Sequence, residues 1–248
     1  MADNSGSRVS IGKIVRSESH VRYTCQVYAP GEIALPPEPA DYAFGSFMRM
    51  PLRAGTPRAD VADMGTMGLG FGSGAPLSDA LEPAPDPSTQ QWAVGLIFDT
   101  ILLNPAFGTL GPRLSSDEQV ELFSPDYLSE RAVLVSILLL GTTTLRRGRI
   151  ARVYHGVPPL APDLGAVVES LTDEDVRAFH AFAAAGNGAH PALHMGYLPH
   201  AVAQDHPLLP QAMLQTIERL ERLLPANAAV LSIVKRNLAW RLKVEAAG

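Results

Sequence analysis

The chain is nearly free of cysteine: Cys25 is alone among 248 residues. That excludes a disulfide framework and a zinc site assembled from several thiolates. Apolar runs are short. The most apolar stretch, Ala132 to Leu140, falls well below the roughly 20 residues that a membrane-spanning helix needs, and it reads as buried core. The opening residues, Met1 to Arg8, are small and polar with no apolar stretch behind them. Neither a secretory signal nor a myristoylated start is therefore expected, and the expected setting is the cytoplasm, away from membranes. Two catalytic signatures are missing as well. There is no Gly-x-x-x-x-Gly-Lys-Ser/Thr phosphate loop and no Gly-x-Ser-x-Gly elbow, which removes a nucleotide-driven motor and an elbow-type serine hydrolase.

What is present is a globular composition, 46% hydrophobic and 18% charged, with 20 basic against 25 acidic side chains. A net charge of −5 is too small to keep a chain expanded. The 21 glycines and 21 prolines imply irregular segments, and many of them fall between Arg53 and Gln91. That stretch holds the glycine run Gly65 to Gly74 and the prolines Pro83, Pro85 and Pro87. It has no periodicity, and it is expected to be a long loop between two strands.

Elsewhere the first two thirds alternate with period two. Val9 to Val15 and Val21 to Val27 read as an antiparallel hairpin turned by Ser17-Glu18-Ser19-His20, with Val21, Tyr23, Cys25 and Val27 on the inner face. Tyr42 to Met50 is a third strand stopped by Pro51, and Trp92 to Asp99 a fourth whose Gly95 suggests a bulge or a close backbone approach. Ser115 and Ser124 each cap a short inserted helix. Ala132 to Leu140 is a buried strand or helix ended by Gly141, and Ile150 to Tyr154 and Ala166 to Glu169 are further strands. After Leu171 the period becomes helical. Thr172 caps a first helix that ends near Gly186-Asn187-Gly188, Leu209 to Leu224 forms a second, and Leu231 to Leu242 a third. The expected fold is α+β: a small antiparallel β-barrel with helical insertions over Arg8 to Leu171, then a helical region from Thr172 to Gly248.

Few residues cluster in a way that carries chemistry. His190, His194, His200 and His206 lie close in sequence, but Pro191, Pro199 and Pro207 interrupt any helix that could align them as metal ligands. No metal and no cofactor are expected. Asp99, Asp126 and Glu130 are the available carboxylates between and after strands, and their spacing does not pair them for acid–base work. Gly72-Ser73-Gly74 lies in the loop, and Cys25 on an inward strand face, so neither is expected to act as a nucleophile. No catalytic residue is assigned. One basic patch stands out: Arg146, Arg147, Arg149 and Arg152. Guanidinium groups suit phosphates and acidic protein surfaces alike, but the acidic chain has no aromatics interleaved with them, which favours a protein partner over nucleic acid.

The runs Ile11-Gly12-Lys13-Ile14-Val15, Phe47-Met48-Arg49-Met50, Val94 to Asp99, and Gly156-Val157-Pro158-Pro159 leading to Gly165-Ala166-Val167-Val168 together resemble the HAS-barrel. This is the N-terminal β-barrel of HerA-type DNA-translocating ATPases, and in related form of ATP synthase subunits. The resemblance implies an assembly collar that does no chemistry. The absent phosphate loop means that this chain is not the motor itself. The function expected is a non-enzymatic adaptor, its barrel binding a protein partner, such as an ATPase ring or its nuclease, or forming a homo-oligomer. A nucleic-acid-binding barrel using the arginine loop is the first alternative, and a small-molecule enzyme built on the histidines or Asp99 and Asp126 the second.

Overall fold

The computed structural model describes residues 8–52, 89–103, 132–147, 149–181 and 193–245. Among the described residues seven strands follow one another: β1 (Ser10–Ser17), β2 (Arg22–Val27), β3 (Phe47–Leu52), β4 (Thr89–Leu103), β5 (Ala132–Arg146), β6 (Arg149–His155) and β7 (Val167–Ser170). Their antiparallel pairings run β2-β1-β7-β3-β4-β5, and β2 pairs back onto β5. Six strands thus close a barrel, and β6 is an addition outside the ring. Closure removes the unpaired edges that an open sheet would expose.

On β3 and β4 both faces are buried, so consecutive residues, and not only every second one, enter the core. Ile11, Ile14, Cys25, Phe47, Met48, Met50, Leu96, Ile97, Ile137 and Val168 are buried in one continuous core. The expected hairpin of β1 and β2 is present, with Ile14 opposite Cys25. β7 is only four residues long, yet it bridges β1 and β3. There Arg49 lies opposite Glu169, and its Nε and Nη2 both donate to Glu169 Oε2, at 2.8 and 2.6 Å. The guanidinium stacks on the Trp92 ring, 3.9 Å from its centroid.

Several strands run further than their composition implies. The third starts only at Phe47 and passes through Pro51, which lies opposite Trp92. Among the described residues this strand pairs beyond Arg49 with β4 alone, an edge position where a missing N–H costs no ladder bond. β4 already begins at Thr89, so the expected loop ends before residue 89 rather than at Gln91, and the rest of that loop lies outside the described residues. β5 is a strand and not a helix. Gly141 and the threonines after it do not end it, because their backbone groups pair with β4 on one side and β6 on the other. The expected bulge at Gly95 is present, between Val94 and Gly95.

At its middle β5 changes partner. Residues Leu134 to Leu138 pair with β2, and Gly141 to Arg146 pair with β6. The transfer loses no backbone bond: Leu139 N–H donates to the Val21 carbonyl at 2.8 Å, and Gly156 N–H donates to the Leu140 carbonyl at 2.8 Å. Among the described residues four α-helices follow, α1 (Asp173–His180), α2 (Leu198–Val202), α3 (Leu209–Leu223) and α4 (Ala228–Glu245). Thr172 caps α1 in a full capping box with Asp175. α1 ends at His180, and Gly186-Asn187-Gly188, like the inserted helices expected after Ser115 and Ser124, lies outside the described residues. Leu209, Met213, Ile217 and Leu220 of α3, with Leu231 and Leu238 of α4, join the barrel core. No helix among the described residues is long and apolar enough to cross a membrane.

The handover on β5 depends on Gly141, where a Cβ would collide with the Tyr154 carbonyl of β6. Gly141→Ala is expected to cost about 1–3 kcal/mol, as overpacking does, and to raise amide exchange in β6 before the barrel. An unchanged urea midpoint would show that β6 does not depend on this close approach.

Candidate functional site

The four arginines fall on the β5–β6 hairpin: Arg146 ends β5, Arg147 forms the turn with φ 51°, and Arg149 and Arg152 belong to β6. A register shift between Thr144 and Leu145 leaves Ala151 as an extra residue on β6. The bulge has a specific effect. Strict alternation would send Arg149 and Arg152 to opposite faces, whereas the observed partners Arg146↔Arg149, Thr144↔Arg152 and Thr142↔Tyr154 put Arg149, Arg152 and Tyr154 on one face. All three are exposed. Leu145↔Ile150, Thr143↔Val153 and Gly141↔His155 make the opposite face, which turns toward α1.

Between Ala132 and Pro162 there is no Asp or Glu, although the chain as a whole carries −5. Arg146 and Arg149 oppose each other directly, a like-charge pair that costs stability. Among the described residues, Arg149 and Arg152 enter no ion pair.

Among the described residues β6 pairs with β5 alone. Its other edge borders a cleft of about 470 Å³, with Ala151, Arg152, Val153 and His155 along one wall and Phe179, His194 and Gly196 along the other. Because successive β6 residues from both faces line it, the cleft follows the strand edge as a groove.

A cluster of rings supports the far wall. His155 packs on Phe179 with centroids 4.3 Å apart and on Tyr197 at 5.3 Å. Its Nδ1 accepts from the Gly196 N–H at 3.2 Å, so Nε2 carries the proton and donates to the Phe179 carbonyl at 2.9 Å. His180 is fully buried beside it. Its Nδ1 donates to the Val176 carbonyl at 2.8 Å, and its Nε2 accepts from the Tyr197 hydroxyl at 2.8 Å. Burial lowers the pKa of both imidazoles, His180 to about 3, and raises that of the Tyr197 phenol. Both rings are neutral with their nitrogens engaged, so they fix the wall and present no base to the groove.

Of the remaining candidates, His194 joins the groove and His206 meets Asp99 away from it. His200 Nε2 faces the Leu139 carbonyl at 3.2 Å. His206 packs edge-on to Phe98 and faces the Asp99 carboxylate, Nε2 to Oδ2 3.8 Å. Cys25 is buried and its thiol is pushed up to about 12 by that burial. His190, Asp126, Glu130 and Ser73 lie outside the described residues. Among those described, no three His, Cys, Asp or Glu side chains are grouped to hold a metal. His155, His180 and Tyr197 were not singled out by sequence. The signal for His180 was its position beside Val176 and Phe179 on the apolar face of α1, but Tyr197 reaches it only through the tertiary fold.

His180 makes stability depend on pH. An unfolded imidazole binds a proton below about pH 6.5, and the folded one resists it down to about pH 3. The unfolded state therefore holds more protons in that window. Stability is complete above pH 6.5 and falls on acidification, by up to about 1.4 kcal/mol per pH unit for this group. His155, lowered in the same direction, adds to it. For Asp175, burial raises the carboxyl pKa, but hydrogen bonds from Arg8 and Thr172 outweigh this and leave it lowered, so its contribution is lost only at lower pH. Urea unfolding is expected to lose about 2 kcal/mol between pH 7 and pH 5, with a flatter slope in His180→Gln. Equal stability at both pH values would contradict the neutral, buried imidazole.

Comparison with known protein families matches the chain to a model described as Domain of unknown function (DUF8166), over residues 2–59 and 70–247. No curated protein matches the chain. With nearly its whole length matched, this chain, a closed six-strand antiparallel barrel followed by helices, belongs to the DUF8166 family.

Proposed function

We propose that this protein is a non-enzymatic assembly or adaptor module whose barrel presents a docking edge to a protein partner. The observation that carries the reading is the ribbon outside the ring. β6 adds nothing to barrel closure, yet it is held out by half of β5, kept arginine-rich on one face, and left with a groove along its edge. A strand that lies outside the ring, packs only its inner face and has an edge lined for contact suits recognition. The ring cluster behind the groove supports the same reading, since the imidazole nitrogens of His155 and His180 are spent on internal hydrogen bonds. The closed barrel with its N-terminal hairpin is also compatible with the HAS-barrel likeness, in which the barrel is a collar for a HerA-type ring or its nuclease.

A nucleic-acid-binding barrel is the second reading, favoured by the placing of Arg146, Arg149 and Arg152 on one hairpin face. It predicts oligonucleotide binding that falls steeply with salt.

Affinity purification of the full chain from its host, then reconstitution with the enriched chain and mass measurement in solution, tests the first reading. The expected result is a stable complex of defined stoichiometry. A monomer with no chain that reconstitutes would overturn it.

A further inference from the structure

We propose that the free edge of β6 takes up an extended segment of a partner protein that alternates acidic and apolar residues, adding it as a further strand; this rests on the adaptor reading above. The pairing mode follows from topology. β6 is seven residues long and has a strand on one side only among the described residues, so its outward N–H and C=O groups form a template for a strand. The groove runs beside Ala151 to His155, about 16 Å of strand at 3.3 Å per residue.

The side-chain chemistry follows from the bulge. Arg149, Arg152 and Tyr154 share the outer face, while Ile150, Val153 and His155 share the inner one. An added strand has the same period of two. Its residues facing outward meet guanidinium groups in a stretch without a single carboxylate, and its residues facing inward meet Val153 and the Phe179 ring across the groove. Acidic residues on one face and apolar residues on the other therefore complement both walls.

A second copy of this chain fits poorly. Pairing of two β6 edges would bring Arg149 and Arg152 against the same arginines of the other copy, and like charges on paired strands repel. Nucleic acid would use the arginine face but leave the groove and the backbone edge unused.

The test uses the full chain and a fluorescein-labelled decapeptide of alternating Glu and Val, followed by fluorescence anisotropy. Binding is expected at low salt, weakening as salt rises. It should fall at least about tenfold, a loss of ~1.4 kcal/mol, for the Gln-Val analogue and for the Arg149→Glu/Arg152→Glu double variant. Both side chains are exposed, and a melting curve matching that of the parent chain will show that the variant is folded. A peptide N-methylated at alternate residues on its pairing edge keeps its charge but lacks the strand hydrogen bonds, and is expected not to bind.

Equal binding of the methylated peptide would reduce the interaction to bulk charge and overturn strand addition. Tighter binding of a single-stranded oligonucleotide than of the Glu-Val peptide would overturn it in favour of nucleic acid. A dimer lost on Arg149→Glu/Arg152→Glu substitution would assign the edge to self-association instead. If the double variant reconstitutes with the purified partner as well as the parent chain does, the β6 assignment falls while the adaptor reading stands. If no partner reconstitutes but the peptide binds as expected, the adaptor reading falls and the β6 edge stands as a peptide site.

Discussion

The organisation of the molecule depends on the divided partnership of β5. With β4 along one side for its whole length, the other side is shared, first by β2 and then by β6. The first half completes a ring whose every strand has two neighbours. The second half has no ring left to close, so it carries β6 outward instead. Gly141 sits where the partner changes, and backbone bonds from Leu139 and Gly156 on either side keep the ladder continuous. If β5 ended at Leu140, as its composition suggested, the barrel would still close, but there would be no ribbon and no arginine face.

The inner face of that ribbon must be covered, and α1 covers it. The N-terminus of α1 is fixed by the Thr172 capping box, by Arg8 on Asp175 at 2.7 and 2.9 Å, and by Arg219 on Asp173 at 2.6 Å. Its C-terminus supplies Phe179 and His180 to the ring cluster with Tyr197 and His155. Helix, segment 193–197 and hairpin are thus joined through aromatic contacts and hydrogen bonds in which every imidazole nitrogen of His155 and His180 has a partner. Such fully satisfied polar groups specify one packing arrangement more sharply than apolar contacts alone.

Much of the fold was legible. The alternation from Val21 to Val27 identified an inward strand face because a half-buried strand buries every second residue, and Thr172 with Asp173, Glu174 and Asp175 marked a helix start through the chemistry of caps and helix dipoles. The stripes of α3 and α4 identified their buried sides for the same local reason. The site was less legible. Arg146, Arg147, Arg149 and Arg152 were visible as a patch, but their sharing of a face depends on an extra residue at Ala151, which only the pairing with β5 reveals. Pro51 looked like a strand end because its tolerance depends on which neighbours β3 has at that point.

By itself, then, the sequence determined composition, periodicity and local caps: a β-rich first part, a helical last part, a lone buried thiol and a concentration of arginine. These are properties of residues a few positions apart, where side-chain direction follows directly from backbone period. Only the tertiary structure decided where the ring closes, which strand is left outside it, and which faces the arginines and histidines take. Those outcomes depend on partners far away in sequence, since β2 meets β5 across more than a hundred residues, and a strand's edge is open or closed according to the neighbour that arrives.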